Sequence, residues 1–298
     1  MEINTREVII TNTEKVLFPN SGITKKDVIL YYEKIADYML PYMKNRPLTL
    51  QRFPKGINEI GFFQKNASDY FPEWILTKQV KKEGGWVNQV ICNDKETLLY
   101  LVNQYVITFH LSLSRIDTIK YPDRLIFDLD PPEGNFKLAK DAANILRNFL
   151  EDDLELKTFL MTTGSKGLHV VVPLKRHEDF NEVHEFTKQI ANYIANKYPN
   201  NYTTAIRKNQ RKGRLYIDFL RNSYAQTSVA PYSLRAIENA PVETPLYWNE
   251  LDDIKLNSQF FTINSIFKRL ENISNPWFDF NDSAKSISHS KGKLKAFL

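Results

Sequence analysis

Cysteine occurs once in the 298 residues, at Cys92, so no intrachain disulfide can form and nothing asks for an oxidising compartment. No motif surrounds Cys92, which reads as a small packed hydrophobe rather than a nucleophile. No apolar run reaches the length of a membrane span, and the opening MEINTREVII lacks a basic-then-apolar pattern. The expectation is a soluble, cytoplasmic chain without a membrane partner. His177, His184 and His289 stand at no metal-ligand spacing to one another, and no internal repeat is present.

What is present is 42% hydrophobic and 13% aromatic residues, enough for a sizeable core. Lysine plus arginine number 40 against 35 for aspartate plus glutamate, a net charge of +5. That surplus is compatible with a polyanionic partner without requiring one. TKKD, from Thr24 to Asp27, reads as a helix-opening capping box, with Asp in place of Glu. Val28, Tyr32, Ile35, Met39 and Tyr42 then keep helical spacing until Arg46–Pro47. Short strand-like runs follow (LTLQRF, EIGFFQK, WVNQVICND), then a helix-like segment ETLLYLVNQYVITF ahead of His110. Beyond about residue 115 the pattern becomes strand DRLIFDLD, helix FKLAKDAANILRNFLEDD, and a hairpin KTFLMTT-GSKG-LHVVVPL. A helix over roughly 181–197 and a strand GRLYIDFL follow, and the fold class is α+β. The Ser/Lys-rich tail from 281 to 298 reads as poorly ordered, or as a linker or arm.

The chemistry is carried by RLIFDLDPPEG. Strand side chains alternate, so Asp128 and Asp130 point to one face while Phe127 and Leu129 point to the other. Two like charges held so close repel unless a cation lies between them. LYIDFL supplies a third carboxylate, Asp218, on a strand whose other face is Leu215, Ile217 and Phe219. On a neighbouring strand Asp218 would complete with Asp128 and Asp130 a ligand set for two Mg²⁺ or Mn²⁺ ions, whereas DLD before PPEG alone would equally end a strand and open a turn. Such a pair activates a hydroxyl and stabilises a leaving pyrophosphate.

GSKGLH places Ser165 and Lys166 in a glycine-bracketed turn suited to phosphate oxygens, with His169 on the returning strand. The spacing is not that of a Walker A loop, and an ordinary hairpin turn would look the same. APYSLR adds Arg235, a phosphate clamp or a surface ion-pair residue. Near the start of the chain, Lys15, Lys25 and Lys26 flank a helix N-terminus in the manner of a terminal-phosphate pocket. Arg52, Lys55 and Lys65 alternate with Phe53, Phe62 and Phe63, aromatic surfaces on which bases stack. Adjacent strand positions face opposite ways, so at least one of Phe62 and Phe63 is expected in the core.

Taken in order, TEKVLFPNSGITKKD, GFFQKN, RLIFDLDP, TTGSKGLH, LYIDFLRN and APYSLR resemble the primase-polymerase domain of bacterial DNA ligase D, in the archaeo-eukaryotic primase superfamily. The resemblance covers nearly the whole chain. It implies one primase-polymerase domain over about 1–280, with a DNA-binding portion to about 115 and a catalytic portion beyond. It further implies template-dependent nucleotidyl transfer in non-homologous end joining: gap filling and end extension, favouring ribonucleotides and Mn²⁺. Asp128, Asp130 and Asp218 fall at the metal-ligand positions; Ser165, Lys166, His169 and Arg235 at those holding the incoming triphosphate; and His110 near a nucleotide contact. Lys15 and Lys25 match the pocket for a downstream 5′-phosphate, and Phe62 and Phe63 match residues that stack on template. The implied partners are gapped or broken DNA carrying a 5′-phosphate, nucleoside triphosphates, and Ku and a DNA ligase.

The sequence departs from its relatives at Arg221, where glutamine is frequent, and at Gln226, where lysine is common. Both lie near the expected nucleotide site, so sugar preference transfers less directly than the metal chemistry. No KxDG adenylation motif or His/Asp-rich nuclease segment occurs, which points to a polymerase rather than a ligase, stand-alone or one domain of a larger protein. A DNA-end-binding module without catalysis would leave three carboxylates near DNA without a purpose. A Mn²⁺ glycosyltransferase would use DLD but not the basic-aromatic N-terminal portion.

Overall fold

The computed structural model describes residues 6–82 and 84–298. Thr24 opens the helix Lys25–Met43 with both bonds of the capping box in place. Its buried face carries Val28, Tyr32, Ile35 and Met39, the positions expected from the periodicity. Pro41 sits inside the last turn and the helix ends at Met43, just ahead of the expected break.

Two sheets share the core. The larger, six-stranded sheet runs in the order Tyr202–Thr203, Leu215–Asp218, Arg124–Asp130, Leu168–Pro173, Phe159–Thr162, Pro245–Leu246. All its pairings are antiparallel except the outermost, Tyr202–Thr203 with Leu215–Asp218. The expected hairpin is present, with Phe159–Thr162 returning through the 164–167 turn into Leu168–Pro173. Helices Phe136–Asn148 and Phe180–Lys197 pack against this sheet. The four-stranded sheet runs Thr227–Val229, Val106–Ser112, Leu48–Arg52, Phe62–Gln64. Its first strand comes from the later part of the chain, so the two portions interlock. The strands pair mostly antiparallel, with helices packed on the larger sheet, which is the α+β class.

Two expectations are corrected. ETLLYLVNQYVITF is not one helix: the helix stops at Asn103, Tyr105 takes a left-handed φ of 66°, and Val106–Ser112 is a strand. The run lacks glycine and proline, so nothing local announces the break; it is set by pairing of the strand with Leu48–Arg52. The tail is not loose either. Ser288–Leu294 is helical, Ile287 and Leu294 are buried in the core, and Glu178 accepts hydrogen bonds from the hydroxyls of Ser286 and Ser288.

Candidate active site

The strand Arg124–Asp130 is buried over its first six residues and reaches partial exposure only at Asp130. Its register with the neighbouring strands sets Asp128 directly opposite Asp218 on one side and opposite His169 on the other. Opposed residues of an antiparallel pair share a face, so the three form one row across the sheet. Asp130, two residues along, projects from the same face. Asp128, Asp130 and Asp218 therefore share one face of the sheet.

Charge crowding shapes this row. Burial raises the Asp130 carboxyl to about 6, and the charge of Asp128 adds to the effect. Burial, with Asp128 again, also raises Asp218. Asp128 goes the other way: burial opposes its ionisation, but His169, Arg221 and Arg235 hold it below the usual carboxylate range. Arg221 Nε lies 3.6 Å from Asp128 Oδ2 and 3.7 Å from Asp218 Oδ2. Among the described residues no group of three or more His, Cys, Asp and Glu side chains is arranged to hold a metal ion, and a guanidinium lies between two of the carboxylates. The donor set is all-oxygen and projects from one face of the sheet, the ligand chemistry that hard divalent ions prefer. Arg221 itself is partly exposed, with its side chain 43% accessible.

Its backbone is fixed. Asn222 donates to the carbonyls of Ile126 and Phe219 and accepts from the Ile126 amide, stapling the 219–222 turn to the aspartate strand. Asp218 Oδ1 accepts from the Leu220 amide at 2.8 Å and from the Tyr216 hydroxyl at 3.3 Å.

A pocket of about 170 Å³ opens beside the row, lined by His110, Ser165, Arg221, Ser228 and Arg235 together with Asp128, Asp130 and His169. The helix Lys25–Met43 braces the pocket from outside it, through Tyr32. Tyr32 donates to the Ile107 carbonyl and accepts from the Leu234 amide, and Ser233 Oγ accepts from the Phe109 amide. APYSLR is thereby locked onto the strand that bears His110. Burial, with Arg235 and Arg221 nearby, holds His110 down at about 3, so its ring is neutral. Its Nε2, like Ser228 Oγ, is buried without a hydrogen-bond partner among the described residues.

His169 Nε2 lies 3.4 Å from Asp128 Oδ1, and its Nδ1 lies 3.0 Å from Glu243 Oε1. The second contact is a charge pair whose angle falls outside hydrogen-bond geometry. Burial would lower the His169 pKa, but the two carboxylates outweigh it and raise it.

The GSKG turn differs from the phosphate cradle expected of it. The amides of Ser165, Lys166 and Gly167 all donate to Thr163 Oγ1, so they are turned inward and not free for phosphate. Gly167 is required by packing, because a Cβ there would sit 1.8 Å from the Leu129 carbonyl oxygen. Ser165 reaches the pocket by its side chain, whereas Lys166 lines an adjoining cleft with Asp130, Lys208, Arg211 and Arg214.

Phe62 and Phe63 are 46% and 60% exposed, so neither belongs to the core. Their strand is the edge of the smaller sheet, and neither of its faces is covered at these two residues. The Phe63 ring stands 5.4 Å from that of His110, which joins this aromatic surface to the pocket. Arg52 is not an open cation. Its guanidinium bonds Gln104, Gln64 and Tyr70 and lies 5.4 Å from the Phe62 ring, so it supports the platform from below. Lys25 is likewise buried, its Nζ bonded to the Thr11 carbonyl at 2.6 Å and Asn103 Oδ1 at 2.7 Å. Lys15 is exposed beside it, and both ammonium groups face the Tyr105 ring.

Sequence reasoning missed three contributors: Thr163, Glu243 and the run RKNQRKGR. The five cations of Arg207–Arg214 were legible as a charge run. Arg211 lies over the Tyr216 ring and 3.9 Å from Asp130 Oδ2.

Residues 24–277 match the family model described as LigD, primase-polymerase domain. The chain belongs to the LigD primase-polymerase family, a family of nucleotidyltransferases. A LigD protein of Bacillus subtilis, named a bifunctional non-homologous end joining protein, is 35% identical over 272 residues, 91% of this chain and 43% of that one. A multifunctional LigD of Mycolicibacterium smegmatis is 33% identical over 267 residues, 89% of this chain and 35% of that one. The chain thus spans less than half the length of these relatives. The polymerase domain of Mycobacterium tuberculosis ligase D, solved in complex with DNA, superposes with a TM-score of 0.88 at 30% identity. That match covers 93% of this chain and 99% of the other. Among the described residues no helix is long and apolar enough to cross a membrane.

Proposed function

We propose that the protein adds nucleotides to a primer 3′-hydroxyl at gaps and ends of broken DNA, copying a template, as the polymerase of non-homologous end joining. The observation that carries this reading is the row of Asp218, Asp128 and His169, with Asp130, opening onto a cationic pocket continuous with an exposed aromatic edge. Mn²⁺ or Mg²⁺ held by Asp128, Asp130 and Asp218 would supply the activation of the attacking hydroxyl and the neutralisation of the departing pyrophosphate.

The chain's own groups do the rest. Arg235, Arg221 and His169 bind the triphosphate electrostatically, and Ser165 offers a hydroxyl to it. Neutral His110, with Nε2 unsatisfied and buried, meets a polar group of the nucleotide without adding charge. A ribose hydroxyl meets that need, which supports ribonucleotide use. Phe62 and Phe63 carry template bases, while exposed Lys15 receives a downstream 5′-phosphate, with the buried Lys25 charge behind it. In this reading about 1–115 of a 1–280 domain serves DNA and the remainder serves the chemistry. Ku and a ligase are the partners that the resemblance to ligase D implies.

Extension of a 5′-phosphorylated gapped duplex, with ribo- or deoxyribonucleotides in Mg²⁺ or Mn²⁺, tests this. Asp128→Ala should lose at least ~10³-fold in rate, a loss of the size that removing a charge-stabilising group from an active site produces. DNA affinity should persist. Wild-type protein that binds the duplex without extending it would instead be an end-binding module.

A further inference from the structure

Glu243 stands outside the nucleotide pocket, fully buried, in the segment APVETPL that no metal or phosphate motif includes. Its backbone is clamped: its amide donates to the Ser233 carbonyl at 3.0 Å, and its carbonyl accepts from the Tyr232 amide at 2.7 Å. Gly164 of the GSKG turn packs against it so closely that a Cβ there would lie 3.3 Å from the Glu243 amide nitrogen and 2.7 Å from Arg235 Cγ. A carboxylate in such a place is costly unless neighbouring charges use it. Two do. Oε1 lies 3.0 Å from His169 Nδ1, and Oε2 lies 4.0 Å from Arg235 Nη1.

The geometry points to Glu243 as a positioning residue for the incoming triphosphate, setting the ring plane of His169 and the reach of Arg235 from behind. It deepens the proposed function and rests on it for the identity of the ligand. His169 has one ring nitrogen toward Asp128 and the other toward Glu243, so the two carboxylates fix the ring as a bracket between them. Without Glu243 the ring keeps only its contact to Asp128, and Arg235 loses its one anionic neighbour within 4.0 Å among the described residues. Both pocket cations would then have to be ordered by the nucleotide on binding, at a cost in affinity. The rigid backbone around residue 243 makes this support precise enough to matter.

The test reads nucleotide affinity without turnover. A 5′-phosphorylated gapped duplex with a 3′-deoxy primer end is saturated with protein, and the dissociation constant of the templated nucleoside triphosphate is measured in Mn²⁺. Glu243→Ala is expected to weaken nucleotide binding by about tenfold, the size typical of groups that orient a ligand-binding side chain. Affinity for the gapped duplex and the melting temperature should hold. Glu243→Gln, which keeps an oxygen toward Nδ1, should fall between the two. In a His169→Ala background the same change should cost clearly less than tenfold, because only the Arg235 partner remains.

Unchanged nucleotide affinity in Glu243→Ala would overturn the inference. So would a full tenfold loss in the His169→Ala background, or a loss that appears equally in DNA affinity and melting temperature. Extension by the wild type on an ordinary primer, run in parallel, tests the polymerase reading separately.

Discussion

Asp218 lies directly opposite Asp128 across an antiparallel strand pair, and the Arg221 guanidinium lies within 4 Å of both carboxylates. Opposed side chains start from Cβ atoms roughly 5 Å apart. Two charges at that spacing repel by ~3 kcal/mol at an effective dielectric near 20. The sheet thus creates an anionic site, and Arg221 serves as its counter-cation.

Arg221→Gln should therefore bind Mn²⁺ more tightly in the absence of nucleotide. Half-exposed cations are screened by water, so the gain should be only about three- to tenfold. Titration of free Mn²⁺ by paramagnetic resonance measures it directly. Unchanged affinity would show that Arg221 does not compete for the carboxylates. The same variant should bind the nucleotide less well, because Arg221 also lines the pocket.

Asp218→Asn should stabilise the metal-free protein while abolishing extension. Burial and Asp128 make ionisation of Asp218 unfavourable, and an amide keeps the oxygen that accepts from Leu220 and Tyr216. The sign follows from the raised pKa. Above it the folded state carries a charge that the unfolded chain bears more easily, so the wild type is penalised at neutral pH. As pH falls and the carboxyl protonates in both states, the difference should vanish. Thermal unfolding with a chelator should show a gain of about 1 kcal/mol at neutral pH, within the range usual for relief of functional strain.

Lys25 gives a pH prediction of opposite chemistry. Burial, with Lys15 close by, lowers its ammonium to about 8. Below that value Nζ is charged and adds to the field that a 5′-phosphate at the neighbouring exposed Lys15 meets; above it the charge is lost. A bound phosphate dianion favours the protonated form, so the advantage of a phosphorylated over an unphosphorylated gap should shrink as pH rises. A decline of up to about tenfold between pH 7 and pH 9 is the linkage expectation. Affinities for the two duplexes across this range measure it. A constant ratio would remove Lys25 from the phosphate pocket.

Much of the site was legible because alternation along a strand is a local rule. Asp128 and Asp130 had to share a face, and Asp218 had to oppose Ile217. What the rule could not supply was register, and it is register that puts Asp218 and His169 beside Asp128. The break after Asn103 was hidden because an apolar run suits helix and buried strand alike until its partner is known. Ile287 and Leu294 were masked by the Ser/Lys-rich sequence around them, although their burial anchors the tail. Thr163 could not be read as the acceptor for three amides, since that depends on the turn's conformation. In the sequence Glu243 is a lone acid between Pro241 and Pro245, and only its proximity to His169 gives it meaning.

Phe63 allows the DNA platform to be tested apart from the fold. Its ring is largely exposed, on an edge strand, and touches the pocket through His110. Phe63→Ala should leave the melting temperature nearly unchanged, because little apolar area leaves a buried setting. Base stacking on such a ring contributes about 1–3 kcal/mol, so affinity for gapped DNA should fall roughly five- to a hundredfold. Since the effect is carried by stacking rather than charge, the slope of affinity against salt should match that of the wild type. Lys15→Ala should do the reverse, lowering that slope while leaving stacking intact. If Phe63→Ala bound gapped DNA as well as the wild type, template strands would have to pass elsewhere, and the aromatic edge would be removed from the DNA path.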